Sequence, residues 1–156
     1  HYFNGGEKPQ AGYMIFHGED LISFHSGRLR TTPLSSTQGE YDIATKAVQT
    51  GLALSDTITF ALEDLPDFLA KHSKDELGLP MPVYCDNKSA CLLSEGNTSS
   101  KRMRHVATKI AFLREQIKDD KRVHMYHIRT QGQLADIMTK PLVASVFHPL
   151  AAFALG

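Results

Sequence analysis

Five apolar side chains, Met103, Val106, Ile110, Leu113 and Ile117, recur at steps of three and four, and no other feature of this 156-residue chain constrains its fold as tightly. That spacing lines one face of a helix of about fifteen residues or more, a stripe that must be buried against another layer. The segments around it are short and β-prone. Val83-Tyr-Cys85 reads as a buried strand, and Val123 to Arg129 alternates like one. Nearer the start, Gly12-Tyr-Met-Ile-Phe16 and Leu21-Ile-Ser-Phe24, joined by His17-Gly-Glu-Asp20, predict a β-hairpin that reverses at the glycine. From Ser35 to about Leu54, Ala44, Ala47, Val48 and Gly51 keep helical spacing behind two overlapping capping boxes, Ser35-x-x-Gln38 and Thr37-x-x-Glu40. Thr57 to Pro80 reads as an irregular or helical excursion around Pro66, and a brief helix follows Asp86-Asn87. Thr130-Gln-Gly-Gln133 is a turn before a last helical piece, Leu134-Ala-Asp-Ile-Met138. Strands alternating with helices predict an α/β sandwich.

Composition narrows the function classes. Seventeen Lys and Arg balance seventeen Asp and Glu, so no global basic field marks a free-standing nucleic-acid binder, and any polyanion site must be local. Cys85 and Cys91 stand six positions apart, which is neither a disulfide framework nor a zinc spacing, and suits a reducing compartment; a cytoplasmic location, with a virus-like particle as one form of it, or a nuclear one is expected. The apolar run Val143 to Leu155 is interrupted by Ser145, His148 and Pro149 and falls short of the ~20 residues of a membrane helix, so no membrane partner is expected. Nor does a signal peptide open the chain. It starts at His1 without an initiator Met and is expected to be a piece of something longer. The eight histidines show no ligand pairing with cysteine and no HExxH pattern, His127 reads as structural, and no Gly-x-Ser-x-Gly elbow supports a serine nucleophile.

Three acids stand out by position. Glu40 lies one turn before Ala44, in line with Ala47, Val48 and Gly51, so it should project along the core-facing stripe. Burying a carboxylate is costly without compensation, which points to a metal ligand or catalyst; the ordinary alternative is a capping box with Thr37. Asp86 ends a hydrophobic strand where a helix begins, an edge at which ligands collect, or else it caps that helix. Asp136 falls in a first helical turn, where the dipole favours an acid with no site present. Together, one acid from a helix, one from a strand end and one from a late helix could converge to hold divalent cations for phosphodiester hydrolysis.

Four stretches carry a resemblance: Leu34-Ser-Ser-Thr-Gln-Gly-Glu-Tyr41, Val83-Tyr-Cys-Asp-Asn-Lys-Ser-Ala90, Lys101-Arg-Met-Arg-His-Val106 and Gln133-Leu-Ala-Asp-Ile-Met-Thr-Lys-Pro-Leu142. In their order and over about Ala11 to Gly156 the chain resembles the ribonuclease H domain that closes the polyprotein of copia-type LTR retrotransposons. The resemblance implies an α/β, ribonuclease H-like fold, a mixed five-stranded sheet with helices on both faces, over residues 1–142 with a tail at 143–156. It further implies hydrolysis of the RNA strand of RNA–DNA hybrids, with two magnesium ions (manganese as the alternative) held by Glu40, Asp86 and Asp136. An upstream reverse transcriptase domain of the same polyprotein would be the partner.

The family pattern carries one more aspartate on a first, central strand, and no Asp precedes Asp20 here. Either that strand is truncated or supplied from elsewhere, or Asn4 stands in the acid's place, which would weaken the site electrostatically. Lys101, Arg102, Arg104, His105 and Lys109 form a basic edge that could follow a hybrid's backbone or simply be a solvated helix face. A decayed copy that binds without turnover stays open as a second reading, from a different class. A transposase or integrase would place its glutamate in a late helix, whereas Glu40 precedes Asp86.

Overall fold

The computed structural model describes residues 9–29, 36–63, 80–95 and 106–156. Strands β1 (Gln10–His17) and β2 (Asp20–Arg28) form the expected antiparallel hairpin. Gly18 has φ of 61°, the left-handed conformation that a tight reversal needs and that glycine adopts without steric cost. Helix α1 (Ser36–Glu63) extends past the expected end near Leu54 into the stretch read as an excursion. Strand β3 (Met81–Cys85) leads into α2 (Lys88–Glu95), and α3 (Ala107–Arg114) continues through a π turn at Glu115–Asp119. Strand β4 (Val123–His127) then returns beside β3 in parallel, with Val83 opposite Met125 and Cys85 opposite His127. Two short 3-10 turns, Thr130–Gly132 and Leu134–Met138, follow. The tail is helical: α4 (Ala144–Leu155) packs against β2 and the second 3-10 turn.

The α/β class holds, but the sheet differs from expectation. Among the described residues there are two separate two-stranded sheets, β1–β2 and β3–β4, rather than one sheet of five strands. Both sit against α1, and Gly51 makes room there for β3, since a Cβ at that position would come within 2.4 Å of Met81 Sδ. Residues preceding Pro9, where the expected central strand would fall, lie outside the described residues.

The core follows the helical spacing of α1. Tyr41, Ala44, Val48 and Leu52 pack with Cys85 of β3, Ala90 and Cys91 of α2, Val106, Ile110 and Leu113 at α3, and Val123 and Met125 of β4. Val48 and Leu113 are fully enclosed, and each such side chain contributes roughly 1.5–3 kcal/mol of burial free energy. Tyr41 donates its hydroxyl proton to the Ala90 carbonyl at 3.1 Å, joining α1 to α2. Among the described residues no helix is long and apolar enough to cross a membrane.

Candidate metal centre

Each acid is delivered by a different local device. Helix α1 begins at Ser36 and has no acid in its first turn, so Glu40 stands too far along the helix for the capping role that its sequence spacing suggested. The side chains of Ser35 and Thr37 lie outside the described residues. Asp86 follows β3 directly, and the capping of α2 falls to its neighbour. Asn87 Oδ1 accepts the Ala90 N–H at 3.0 Å and the Asn87 carbonyl accepts the Cys91 N–H at 3.2 Å. With Asn87 in the capping role, the Asp86 carboxylate stays available to the cleft.

Asp136 is carried by the second 3-10 turn, in the first-turn position its sequence context indicated. The turn is anchored on two sides. Gln133 Nε2 donates to the Tyr84 carbonyl at 3.4 Å, tying it to the end of β3, while Ser26 Oγ donates to the Met138 carbonyl at 2.6 Å, tying it to β2. Gly12 makes the close approach feasible, since a Cβ there would lie 2.7 Å from both the His25 carbonyl oxygen and Met138 Cβ.

Glu40, Asp86 and Asp136 thereby line one cleft, together with Gly12, Gln133 and Lys140. Its electrostatics are those of crowded negative charge. The Glu40 carboxyl is pushed up to about 7, first by burial and then by the nearby Asp86 and Asp136 carboxylates, with Lys140 pulling the other way. Lys140 Nζ lies 2.7 Å from Asp136 Oδ2, one helical turn along the chain. One lysine against three acids leaves negative charge that a divalent cation could satisfy, and all-oxygen donors of this kind suit magnesium. The Cys85 sulfur is also present: one donor atom each of Glu40, Cys85 and Asp86 lie within 4.8 Å of one another.

The remaining sequence candidates fare unevenly. Lys109 is half-exposed, and its ammonium pairs with the Asp42 carboxylate. Lys101, Arg102, Arg104, His105 and Asn4 lie outside the described residues. Lys140, Gln133 and Cys85 were not singled out as site residues from sequence. The i,i+4 spacing of Asp136 and Lys140 was a readable signal, whereas nothing in the chain's linear order places Cys85 beside Glu40.

The site belongs to a chain whose homologues are retrotransposon Pol polyproteins. It is 30% identical over 141 residues to the retrovirus-related Pol polyprotein from transposon RE1 of Arabidopsis thaliana, a match covering 90% of this chain and 9% of that polyprotein. It is 29% identical over 141 residues to the Pol polyprotein from transposon TNT 1-94 of Nicotiana tabacum, covering 90% of this chain and 10% of the relative. Against the transposon Ty1-JR2 Gag-Pol polyprotein of Saccharomyces cerevisiae the identity is 25% over 144 residues, covering 92% of this chain and 7% of the relative. The chain thus spans no more than a tenth of the length of these relatives. No protein-family model matches it, and no solved structure matches it with significance.

Proposed function

We propose that this chain is the ribonuclease H domain of a retrotransposon polyprotein, a metal-dependent endonuclease that hydrolyses the RNA strand of RNA–DNA hybrids. The observation that carries this reading is the convergence of Glu40, Asp86 and Asp136 on one cleft from three separate elements. Their carboxylates would hold magnesium, with manganese the alternative, and the crowding that raises Glu40 is relieved when a cation takes its proton's place. Magnesium bound there would supply Lewis-acid stabilisation of the negative charge that develops on the phosphoryl oxygens. Gln133 and Ser26 hold the Asp136 turn in register with the other two acids. Lys140 sets a cation on the cleft wall where a phosphate can be met, and the basic edge that includes Lys109 would follow the hybrid's backbone. The partners on this reading are the hybrid itself and the reverse transcriptase domain upstream in the polyprotein.

The test is cleavage of an end-labelled RNA strand in an RNA–DNA hybrid, with the chain alone and with its upstream polyprotein residues attached. Magnesium-dependent cleavage that falls about 100-fold or more in Asp86→Asn is the expected result, the size typical of losing a group that stabilises transition-state charge. Hybrid binding without hydrolysis in either form overturns the enzyme and leaves a binding module.

A further inference from the structure

We propose that Cys85 joins Glu40 and Asp86 as a third donor to a thiophilic divalent cation of the zinc and cadmium class, so that such an ion occupies the cleft in place of magnesium. The inference rests on the preceding reading only for the point that Glu40 and Asp86 face a common ion.

Geometry is the first support. A sulfur and two carboxylate oxygens, one donor from each residue, already lie within 4.8 Å of one another. Around a tetrahedral zinc, with Zn–S near 2.3 Å and Zn–O near 2.1 Å, such donors sit roughly 3.6 Å apart. The difference is about an ångström, which side-chain torsions of Glu40 and Asp86 can close without moving the backbone.

The surroundings of the sulfur are the second support. The Asn87 backbone N–H points at Cys85 Sγ at 3.4 Å, a donor placed as second-layer amides are placed around metal-bound thiolates. The Cys91 thiol and burial hold the Cys85 thiol well above its ordinary range, that N–H being the opposing influence, so the sulfur stays protonated without an ion and its proton passes to solvent when the ion binds. The site is neither a lone thiol nor a purely acidic cluster. Thiolate is a donor that magnesium declines and that zinc and cadmium prefer, so this residue biases the cleft toward softer ions. Because the two carboxylates are shared, a zinc-class ion and magnesium exclude one another, and zinc acts as an antagonist of the magnesium-loaded state. The ordinary alternative is a core thiol, since Cys85 is 6% exposed and packs with Val48 and Cys91 in the apolar cluster.

The experiment titrates the whole chain with cadmium and follows the ultraviolet charge-transfer band of a cadmium thiolate, with zinc affinity measured in parallel by competition with a chromogenic chelator. The expected result is a saturable band that Cys85→Ser abolishes and Cys91→Ser retains. Cys85→Ser should also weaken zinc by about 10-fold or more while changing magnesium affinity little. Should Cys85→Ser fail to fold, alkylation mapped by mass spectrometry on the unaltered chain decides, with zinc expected to protect Cys85 and magnesium not. Absence of the band, a band indifferent to Cys85→Ser, or alkylation of Cys85 unaffected by zinc overturns the proposal. Absence of hybrid cleavage in chain loaded with magnesium alone, alongside a saturable cadmium band in a separate sample, would instead sink the ribonuclease reading and leave this one standing.

Discussion

The two sheets of this molecule are held in opposite ways. The β3–β4 pair is parallel and joined through α2 and α3, and its inward side chains Cys85, Val123 and Met125 belong to the enclosed apolar cluster. The β1–β2 pair is a local hairpin that contributes no residue to that cluster, although Ala11 and Tyr13 are buried. It is fastened instead by point contacts. The Tyr13 hydroxyl and Thr50 Oγ1 are 3.1 Å apart, Ser26 reaches the Met138 carbonyl, and Gly12 lets the Asp136 turn settle on the strand. The Asp136 turn and α4 cover its other face only in part, leaving Phe24 64% exposed. The difference teaches where the cleft sits in the energetics: two acids come from the well-packed half, and the third is carried on the pinned half. The fold can therefore persist while the site comes apart.

The largest effect should come from the packed half. Leu113→Ala removes a fully enclosed side chain and should lower stability by about 3 kcal/mol or more, read from urea unfolding. A loss under about 1 kcal/mol would mean the cluster is not the dominant core. Gly12→Val drives a side chain into the His25 carbonyl and Met138, and a cost of roughly 2 kcal/mol is expected. Its sharper readout is magnesium affinity, which should collapse in a variant that still melts cooperatively; unchanged magnesium binding would break the claim that the hairpin positions Asp136.

The seam itself should be pH-dependent. Glu40 is raised from 4.5 to about 7, so between those values the folded state holds a proton that the unfolded chain has released. Stability then falls as pH rises through that window and is greatest below it. At about 1.4 kcal/mol per unit, discounted for the part of the side chain still reached by water, the loss is roughly 2 kcal/mol. Glu40→Gln should flatten the slope, and magnesium should stabilise the unaltered chain more above pH 7 than below it. A slope unchanged in Glu40→Gln would assign the effect to another group. The smallest effect is expected at the exposed Phe24, where Phe24→Ser should shift stability by no more than about 0.5 kcal/mol. A larger loss would show that side chain to be covered in solution.

Much of the local structure was legible in the chain. The hairpin reversing at Gly18, the inward line of Ala44 and Val48 and the stripe from Val106 through Ile110 and Leu113 to Ile117 emerged where their spacing put them, Met103 lying outside the described residues, because those patterns are set by residues three to five apart. Other expectations met tertiary terms. Helix α1 outran its expected end, and the sheet is divided among the described residues because β1 and β3 each pack on α1 without pairing to one another. The capping of α2 falls to Asn87 rather than Asp86, and α1 starts at Ser36, four residues before Glu40, details of one residue in register that spacing alone leaves open.

What the sequence determined by itself was the inventory: helix and strand periods, the three acids, and likeness to retrotransposon polyproteins. What only the tertiary structure decided was company. Glu40 meets Cys85 and Asp86 across 45 residues of chain, and Lys140 and Gly12 share a wall with them. Such proximity is produced by crossovers and close packing at Gly12 and Gly51, and no linear pattern records a distance closed by folding.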